Sequence, residues 1–373
     1  MDISRSISLH LPSQIEIGKG ASAKVGHWAG KGMRIFILAQ PITASMVSKL
    51  QLSGDVEIFE GIDPEPKDID LNAAMEAARN FRPDLVVGLG GGSVMDVAKL
   101  VAALWNSNQT LDEVVGPNKI SGKSSPLALI ATTSGTGSES GIRALITNSK
   151  TNAKMAVESP FLRADLAVLD PDLTMSLPPA VTAATGVDAL AHCVEAFTNI
   201  NSHPVVDEFA RMGMRLAGKF LIRAVQDGAD VEARAGMLLA SFYGGLCLGP
   251  VNTAAGHALA YPLGSHAGLP HGISNAIIFP HVLAFNTPVE TAKTKEILNL
   301  LGLSECNDQA EVLAQAHSFC TQLGISMSLE NYGISSTVLR AWAEEAHGIR
   351  RLMDNNPRDM SIDQAEDIYK AAF

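Results

Sequence analysis

Asp188 and His192 stand four residues apart in TGVDALAHCVEAF, and His257 and His271 follow in GHALAYPLGSHAGLPHG. Four residues make about one helical turn, so the Asp188 carboxylate and the His192 imidazole project from the same helix face. The fourteen-residue interval from His257 to His271 is rich in Gly and Pro and is able to fold the second pair back towards the first. One oxygen and three nitrogens suit a borderline divalent transition metal, Fe(II) or Zn(II), without any thiolate. Taken singly, a histidine on an apolar helix face is more often a packed, hydrogen-bonded core residue than a ligand. Gly256 and Gly272, beside two of them, favour a site that the backbone approaches closely. The constellation points to a metalloenzyme.

A second chemistry lies in LVVGLGGGSVMDVAK, which runs from a strand through Gly90, Gly91, Gly92 and Ser93 into a helix starting near Val94. Glycines let backbone approach a phosphate, and the helix N-terminus offers free N–H groups with a favourable dipole. A tight structural turn would look the same when this loop is taken alone. Further on, Thr132, Thr133, Ser134 and the rest of TTSGTGSE end another strand, and these small hydroxyl residues suit bonds to ribose, phosphate or an amide. Two such loops favour a dinucleotide site over two unrelated turns.

The elements that must position these groups differ between the two halves. Residues 34–39, 56–59, 85–89 and 127–131 read as strands, and residues 68–81 and 93–104 carry helical periodicity. Such alternation implies a parallel sheet covered by helices. Arg143–Thr147 and Leu166–Asp170 are expected to close this half as a meander. Beyond Leu177-Pro178-Pro179, helical stretches dominate, among them residues 211–224, 231–248 and 338–347. The expected fold is an α/β N-terminal nucleotide-binding domain, residues 1–179, followed by an all-α metal-binding and substrate domain, residues 180–373, with a cleft between them.

Composition sets outer bounds. Hydrophobic residues make up 46% and charged residues 18% of 373 residues, which suits a two-domain globular enzyme. A net charge of −11 with no Lys/Arg cluster opposes nucleic-acid binding. The opening MDISRSISLHLPSQIEIG lacks the layout of a secretion signal, and no apolar run is long enough to cross a bilayer. Cys193, Cys247, Cys306 and Cys320 show no CxxC spacing and read as reduced thiols of a cytoplasmic protein.

In order and spacing, GGGSVMDVAK, TTSGTGSE, AKMAVESPFLRADLAVLDPDLTMSLPP, DALAHCVEAF and GHALAYPLGSHAGLPHG resemble the iron-containing (group III) alcohol dehydrogenases nearly end to end. The resemblance implies the dehydroquinate synthase-like architecture, with NAD or NADP and one divalent metal, and hydride transfer between the cofactor and a small alcohol or aldehyde. Carried over by position, the metal ligands would be Asp188, His192, His257 and His271. Gly90, Gly91, Gly92 and Ser93 would hold the pyrophosphate, with Asp96 close by. Thr132, Thr133 and Ser134 would line the adenine and ribose side, and Lys154 would face the nicotinamide ribose. A homodimer is the expected assembly, with an edge strand near the N-terminus as its means.

Two positions depart from the family pattern. Many members have His where this chain has Tyr261, one turn after His257, so His257, Tyr261 and His271 form the expected catalytic group. A phenol is a hydrogen-bond donor before it is a base, and an aromatic pocket wall is the equal alternative. The second departure is Gln40, which replaces the Asp that NAD-preferring members set against the ribose 2′-hydroxyl, leaving NAD and NADP both open. Tyr at the Tyr261 position also occurs in the hydroxyacid–oxoacid transhydrogenase branch, which keeps an organic-acid substrate open. Residues 182–199 and 252–273 contain no Lys or Arg, which opposes a dehydroquinate synthase-type lyase. A catalytically silent nucleotide- or metal-binding protein is opposed by the complete ligand set. His347, Asn356, Pro357 and Arg358 lie in the tail that approaches the site in the family, Arg358 being expected in an ordinary ion pair.

Overall fold

The computed structural model describes residues 3–373. Two compact units are present, Ser8–Ser176 and Leu177–Phe373, the latter including the residues up to Ile7. That N-terminal tail joins the helical unit through Arg5, whose guanidinium donates to the Asn201 and Ser202 carbonyls, and through Ile7, which packs on the helical core.

The first unit is built on a six-stranded sheet. Its strands are β1 (Gln14–Ile17), β2 (Met33–Ala39), β3 (Gly54–Phe59), β4 (Leu85–Gly90), β6 (Leu127–Ala131) and β9 (Leu166–Leu169), in the order β1-β9-β6-β4-β2-β3 and all parallel. The central strands β4 and β6 are buried at every residue, as a parallel sheet with both faces covered requires. One face is covered by α1 (Asp68–Phe81) and α2 (Gly92–Leu104). Asp70 accepts from the Lys67 N–H at 2.8 Å to start α1, whose Leu71, Ala74, Met75, Ala78 and Phe81 form a buried stripe.

The expected meander is not formed. β7 (Arg143–Thr147) pairs antiparallel with β8 (Lys154–Glu158), which also pairs with the two-residue β5 (Gly116–Pro117) in a separate three-stranded sheet. β9 inserts between β6 and β1 instead. The physical reason lies in the side chains: LAVL is apolar throughout and is buried at all four positions, so it needs neighbours on both sides. RALIT keeps two residues partly exposed and suits a small sheet.

Register then arranges one edge of the large sheet. Ala39 stands beside Leu89, and Gly90 beside Ala131. The carboxyl ends of β2, β4 and β6 therefore lie side by side, with Gln40, Gly90–Ser93 and Thr132–Ser134 leaving them in that order. This is where parallel sheets bind ligands.

The second unit is helical. Among its helices are α3 (Pro179–Thr198), α4 (Pro204–Gln226), α5 (Val231–Leu248), α6 (Ala255–Ala267), α7 (His271–Asn286), α8 (Leu339–Gly348) and α9 (Ile362–Ala371). Helix α3 runs through the core and is buried along most of its length by α4, α5 and α7. Gly268, at φ +67°, ends α6 with its N–H on the Gly264 carbonyl, and Leu269 N–H returns to Leu263. Pro270 follows and leads directly into His271, so the Gly/Pro-rich interval is a tight helical hairpin. Among the described residues no helix is long and apolar enough to cross a membrane.

Candidate functional site

Helix α3 supplies Asp188, His192 and Glu195 at positions i, i+4 and i+7, which share one face. Asp188 and His192 are 3% and 5% exposed, although neither is apolar. Gly244 of α5 permits this burial: a Cβ there would lie 3.2 Å from His192 Cβ and 3.1 Å from the Ala189 carbonyl oxygen.

Helix α6 brings His257 to the same place. Its Nδ1 lies 2.7 Å from Glu195 Oε1, while Glu195 Oε2 accepts from the backbone N–H groups of Ala254 and His257. The carboxylate thus fixes both the helix start and the ring. Gly256 makes room for it, since a Cβ would stand 2.5 Å from Glu195 Oε1. With Nδ1 engaged by a carboxylate, His257 presents Nε2 to the interior.

Helix α7 contributes His271 at its first residue and Asn275 one turn later. From Asp188 Oδ1, the distances to the Nε2 atoms are 3.8 Å for His192, 3.6 Å for His257 and 3.6 Å for His271. The ligand atoms of Asp188, His192 and His257 all fall within 4.8 Å of one another. Metal–ligand bonds of about 2.0–2.2 Å in tetrahedral arrangement separate neighbouring donors by roughly 3.3–3.6 Å, so the Asp188–imidazole distances come close to those of a divalent site, while His271 stands outside the tightest group of three. The Asn275 amide nitrogen stands 2.7 Å from Asp188 Oδ1, 3.2 Å from His257 Nε2 and 3.1 Å from His271 Nε2. These acceptor atoms therefore converge on a common electron-poor partner.

The electrostatics agree. Burial favours neutral Asp188, but His192, His271 and His257 around it hold the carboxyl well below the usual carboxylate range. Burial pushes His192 down to about 4, so its ring is neutral at neutral pH and keeps one nitrogen lone pair free to bind a cation. For His257 burial is outweighed by the charges of Glu195 and Asp188, which raise it to about 10. A cluster that draws a proton this strongly is short of positive charge, which is what a cation supplies.

The Tyr261 ring lies 6.1 Å from the His271 ring, centroid to centroid, one turn beyond His257 on α6. Its hydroxyl oxygen accepts a long hydrogen bond of 3.4 Å from the Arg351 guanidinium, which also stands 5.6 Å from the phenol ring centre. His266 belongs to the last turn of α6, and its Nε2 is 2.6 Å from Glu345.

In the first unit the cofactor candidates occupy the sheet edge already described. Helix α2 starts at Gly92, leaving its first backbone N–H groups outside the helical ladder. A Cβ on Gly91 would meet Thr133 Oγ1 at 3.0 Å, and one on Gly92 would meet Thr136 Cγ2 at 2.6 Å. The glycines are thus required for the two loops to touch. Thr132 N–H bonds the Gly90 carbonyl at 3.1 Å, and Ser134 is buried. Ser93 Oγ accepts from Glu65 N–H at 3.3 Å. Gln40 donates its amide to the Ile62 carbonyl at 3.2 Å.

Asp96 and Lys154 are engaged within the protein. Asp96 accepts from Ser138 Oγ at 2.6 Å and from Leu145 N–H at 3.0 Å, with buried Lys99 3.8 Å away. It ties α2 to the TTSGTGSE loop. Lys154 donates to Thr147 Oγ1 at 2.9 Å and pairs with Glu65.

Sequence reasoning passed over three residues. Glu195 and Asn275 were signalled by the helical period, at i+3 from His192 and i+4 from His271. Arg351 carried no local signal, because it is ninety residues from Tyr261. Arg358 does not take the ion pair expected of it: it donates to the Phe285 carbonyl at 2.8 Å and stacks on that ring at 4.2 Å. Its guanidinium lines a cavity of about 420 Å³ with His281 and Gln309. Asn356 is paired amide-to-amide with Asn286.

Comparison with known proteins gives a consistent picture. A family model described as iron-containing alcohol dehydrogenase matches residues 12–171, and one for the C-terminal part of the Fe-containing alcohol dehydrogenase family matches residues 182–373. Long-chain-alcohol dehydrogenase 1 of Geobacillus thermodenitrificans is 36% identical over 337 residues, covering 88% of this chain and 85% of its own. A sulfoacetaldehyde reductase of Bilophila wadsworthia is 32% identical over 357 residues, covering 92% of each chain. The crystal structure of a 1,3-propanediol oxidoreductase superposes with a TM-score of 0.92 at 28% identity, covering 99% of this chain and 100% of that one.

Proposed function

Because this chain belongs to the iron-containing alcohol dehydrogenase family, we propose that its helical unit holds a divalent iron through Asp188, His192, His257 and His271, and that its α/β unit binds NAD(H). The enzyme transfers a hydride between a nicotinamide cofactor and a small alcohol or aldehyde. The observation that carries the ligand assignment is the convergence of three imidazole Nε2 atoms within 3.8 Å of one Asp188 oxygen. When bound, the metal supplies Lewis acidity towards the substrate oxygen, and the nicotinamide supplies or accepts the hydride.

The chain's own groups do the rest. Glu195 holds His257 in one tautomer and orientation, with Nε2 facing inwards. Tyr261 walls the space beside His271, and its hydroxyl oxygen accepts from the Arg351 guanidinium. The backbone at Gly90–Ser93 and the start of α2 receive the pyrophosphate. Thr132, Thr133 and Ser134 line the adenine and ribose side, and Lys154 meets the nicotinamide ribose. Asp96 acts as a positioning residue that fixes the neighbouring loop. NAD(H) is favoured over NADP(H), because no Lys or Arg flanks Gln40 to recruit a 2′-phosphate. The family's iron supports Fe(II), though the donor set also accepts Zn(II). Four buried free cysteines support a reducing, cytoplasmic setting, and the half-exposed edge strand β1 supports pairing of two copies.

The test is oxidation of NADH and NADPH with an aldehyde panel by protein stripped of metal and reloaded with Fe(II) or Zn(II). Turnover is expected only in the loaded protein, faster with NADH. His271→Ala is expected to lose metal content and turnover together, on the order of a thousandfold in rate, while cofactor binding persists. Full metal retention and activity in that variant would overturn the ligand assignment.

A further inference from the structure

Arg351 is exposed and follows directly on Arg350 in the short helix Arg350–Met353, yet the two guanidinium groups are used differently. Arg350 is bonded to Asp354 and to His347. Arg351 has no carboxylate within ion-pair distance among the described residues; its polar contact is the Tyr261 hydroxyl at 3.4 Å, a long and weak bond. Guanidinium groups ordinarily satisfy their fork of five donors with a carboxylate, a phosphate or water. This one is held against a phenol whose other neighbour is the His271 ring, 6.1 Å away. The same phenol ring therefore neighbours both a guanidinium without a carboxylate partner and the His271 ring of the imidazole-and-carboxylate cluster.

The location matters because charge is otherwise one-sided here. The cluster carries two carboxylates, Asp188 and Glu195, and the α3 and α6–α7 segments around it contain no Lys or Arg. The neighbouring acids are already committed, Asp354 to Arg350 and Glu345 to His266. A neutral alkyl aldehyde would leave the Arg351 fork facing water. A short aldehyde with an acid at its far end would place its carbonyl at the metal cluster and its anion on the guanidinium, with its carbon chain along the Tyr261 ring.

Resting on the function proposed above, we infer that Arg351 is a specificity-determining residue and that the substrates are short aldehydes bearing a carboxylate or sulfonate at the end away from the carbonyl, together with the corresponding hydroxy acids. Tyr261 is the spacer that sets the distance. A planar, bidentate contact to either oxyanion explains why Arg stands here, and the flexible point charge of Lys would serve less well.

The test uses the Fe(II)-loaded enzyme with NADH and three carbonyls: butanal, succinic semialdehyde and sulfoacetaldehyde. The wild type is expected to favour at least one acid aldehyde over butanal by about ten- to a hundredfold in kcat/KM, carried mainly by KM, as a charge-assisted contact supplies. Arg351→Ala is expected to abolish that preference, the acid aldehyde losing about ten- to a hundredfold in kcat/KM and butanal less than about threefold, and Arg351→Lys to restore part of it. The preference should also shrink with added salt, since the guanidinium is exposed. The better of the two acid substrates identifies which oxyanion the site takes. Butanal turnover with no acid preference overturns this inference and leaves the dehydrogenase reading standing. A loss in Arg351→Ala that is equal for all three carbonyls, or that appears in the KM for NADH, also overturns it. Silence with every carbonyl removes both.

Discussion

In the helical unit the converging groups are side chains: one carboxylate and three imidazoles from three helices, oriented by Glu195 and bridged by Asn275. Along the sheet edge of the other unit the converging groups are backbone: glycine N–H groups at the start of α2, pressed against a loop of small hydroxyl residues. The first site is a set of functional groups held apart at fixed distances by rigid helices. The second is a surface cleared of side chains so that two loops have room to approach. The difference predicts opposite weaknesses. Removing side chains should damage the first site, and adding them should damage the second.

Glu195→Gln tests the side-chain site without touching a proposed ligand. It keeps the shape but loses the charge that holds His257, so metal affinity is expected to fall by about ten- to a hundredfold, read by metal titration. Cofactor binding should not move, and a matching loss there would break the contrast between the two sites. Gly92→Ala is the converse. Its Cβ would sit 2.6 Å from Thr136 Cγ2, so the loop must shift and the KM for NADH should rise by about tenfold, with metal content unchanged. A variant that binds NADH normally would show that the loop contact has slack. The smallest effect is expected for Tyr261→Phe, which keeps the ring beside His271 and deletes the hydroxyl. If Tyr261 is a wall, kcat falls by less than about tenfold; a loss on the order of a hundredfold would make the phenol a proton carrier and add a titrating group to the helical site.

How far these sites were legible in the sequence depended on the range of the interaction. The stripe in Asp68–Phe81 and the apolar run Leu127–Ala131 gave elements with the observed bounds, because local periodicity reports burial directly. Strand β1 was expected only as an edge strand near the N-terminus, without bounds, since four half-exposed residues have little pattern to show. The pairing of β7 with β8, and not with β9, was not readable either: which strands pair is a competition among the whole set, settled by burial on both sides. Glu195 was legible at i+7 from Asp188, but a Glu near the end of an apolar helix reads equally well as a solvated residue until His257 is seen 2.7 Å away.

By itself, then, the sequence determined most of the element types, the spacing that puts Asp188 and His192 on one face, the glycine run that opens a helix after a strand, and the family to which these motifs point. All of these rest on neighbours a few residues apart, or on motifs in fixed order. Tertiary structure alone decided that His271 closes on Asp188 and that Asn275 reaches three acceptor atoms. It also decided that Asp96 is spent on Ser138 and Leu145, and that Arg351, with no local signal, rests on Tyr261. Those outcomes depend on how helices far apart in the chain pack, and packing sums many weak contacts that no short stretch of sequence contains.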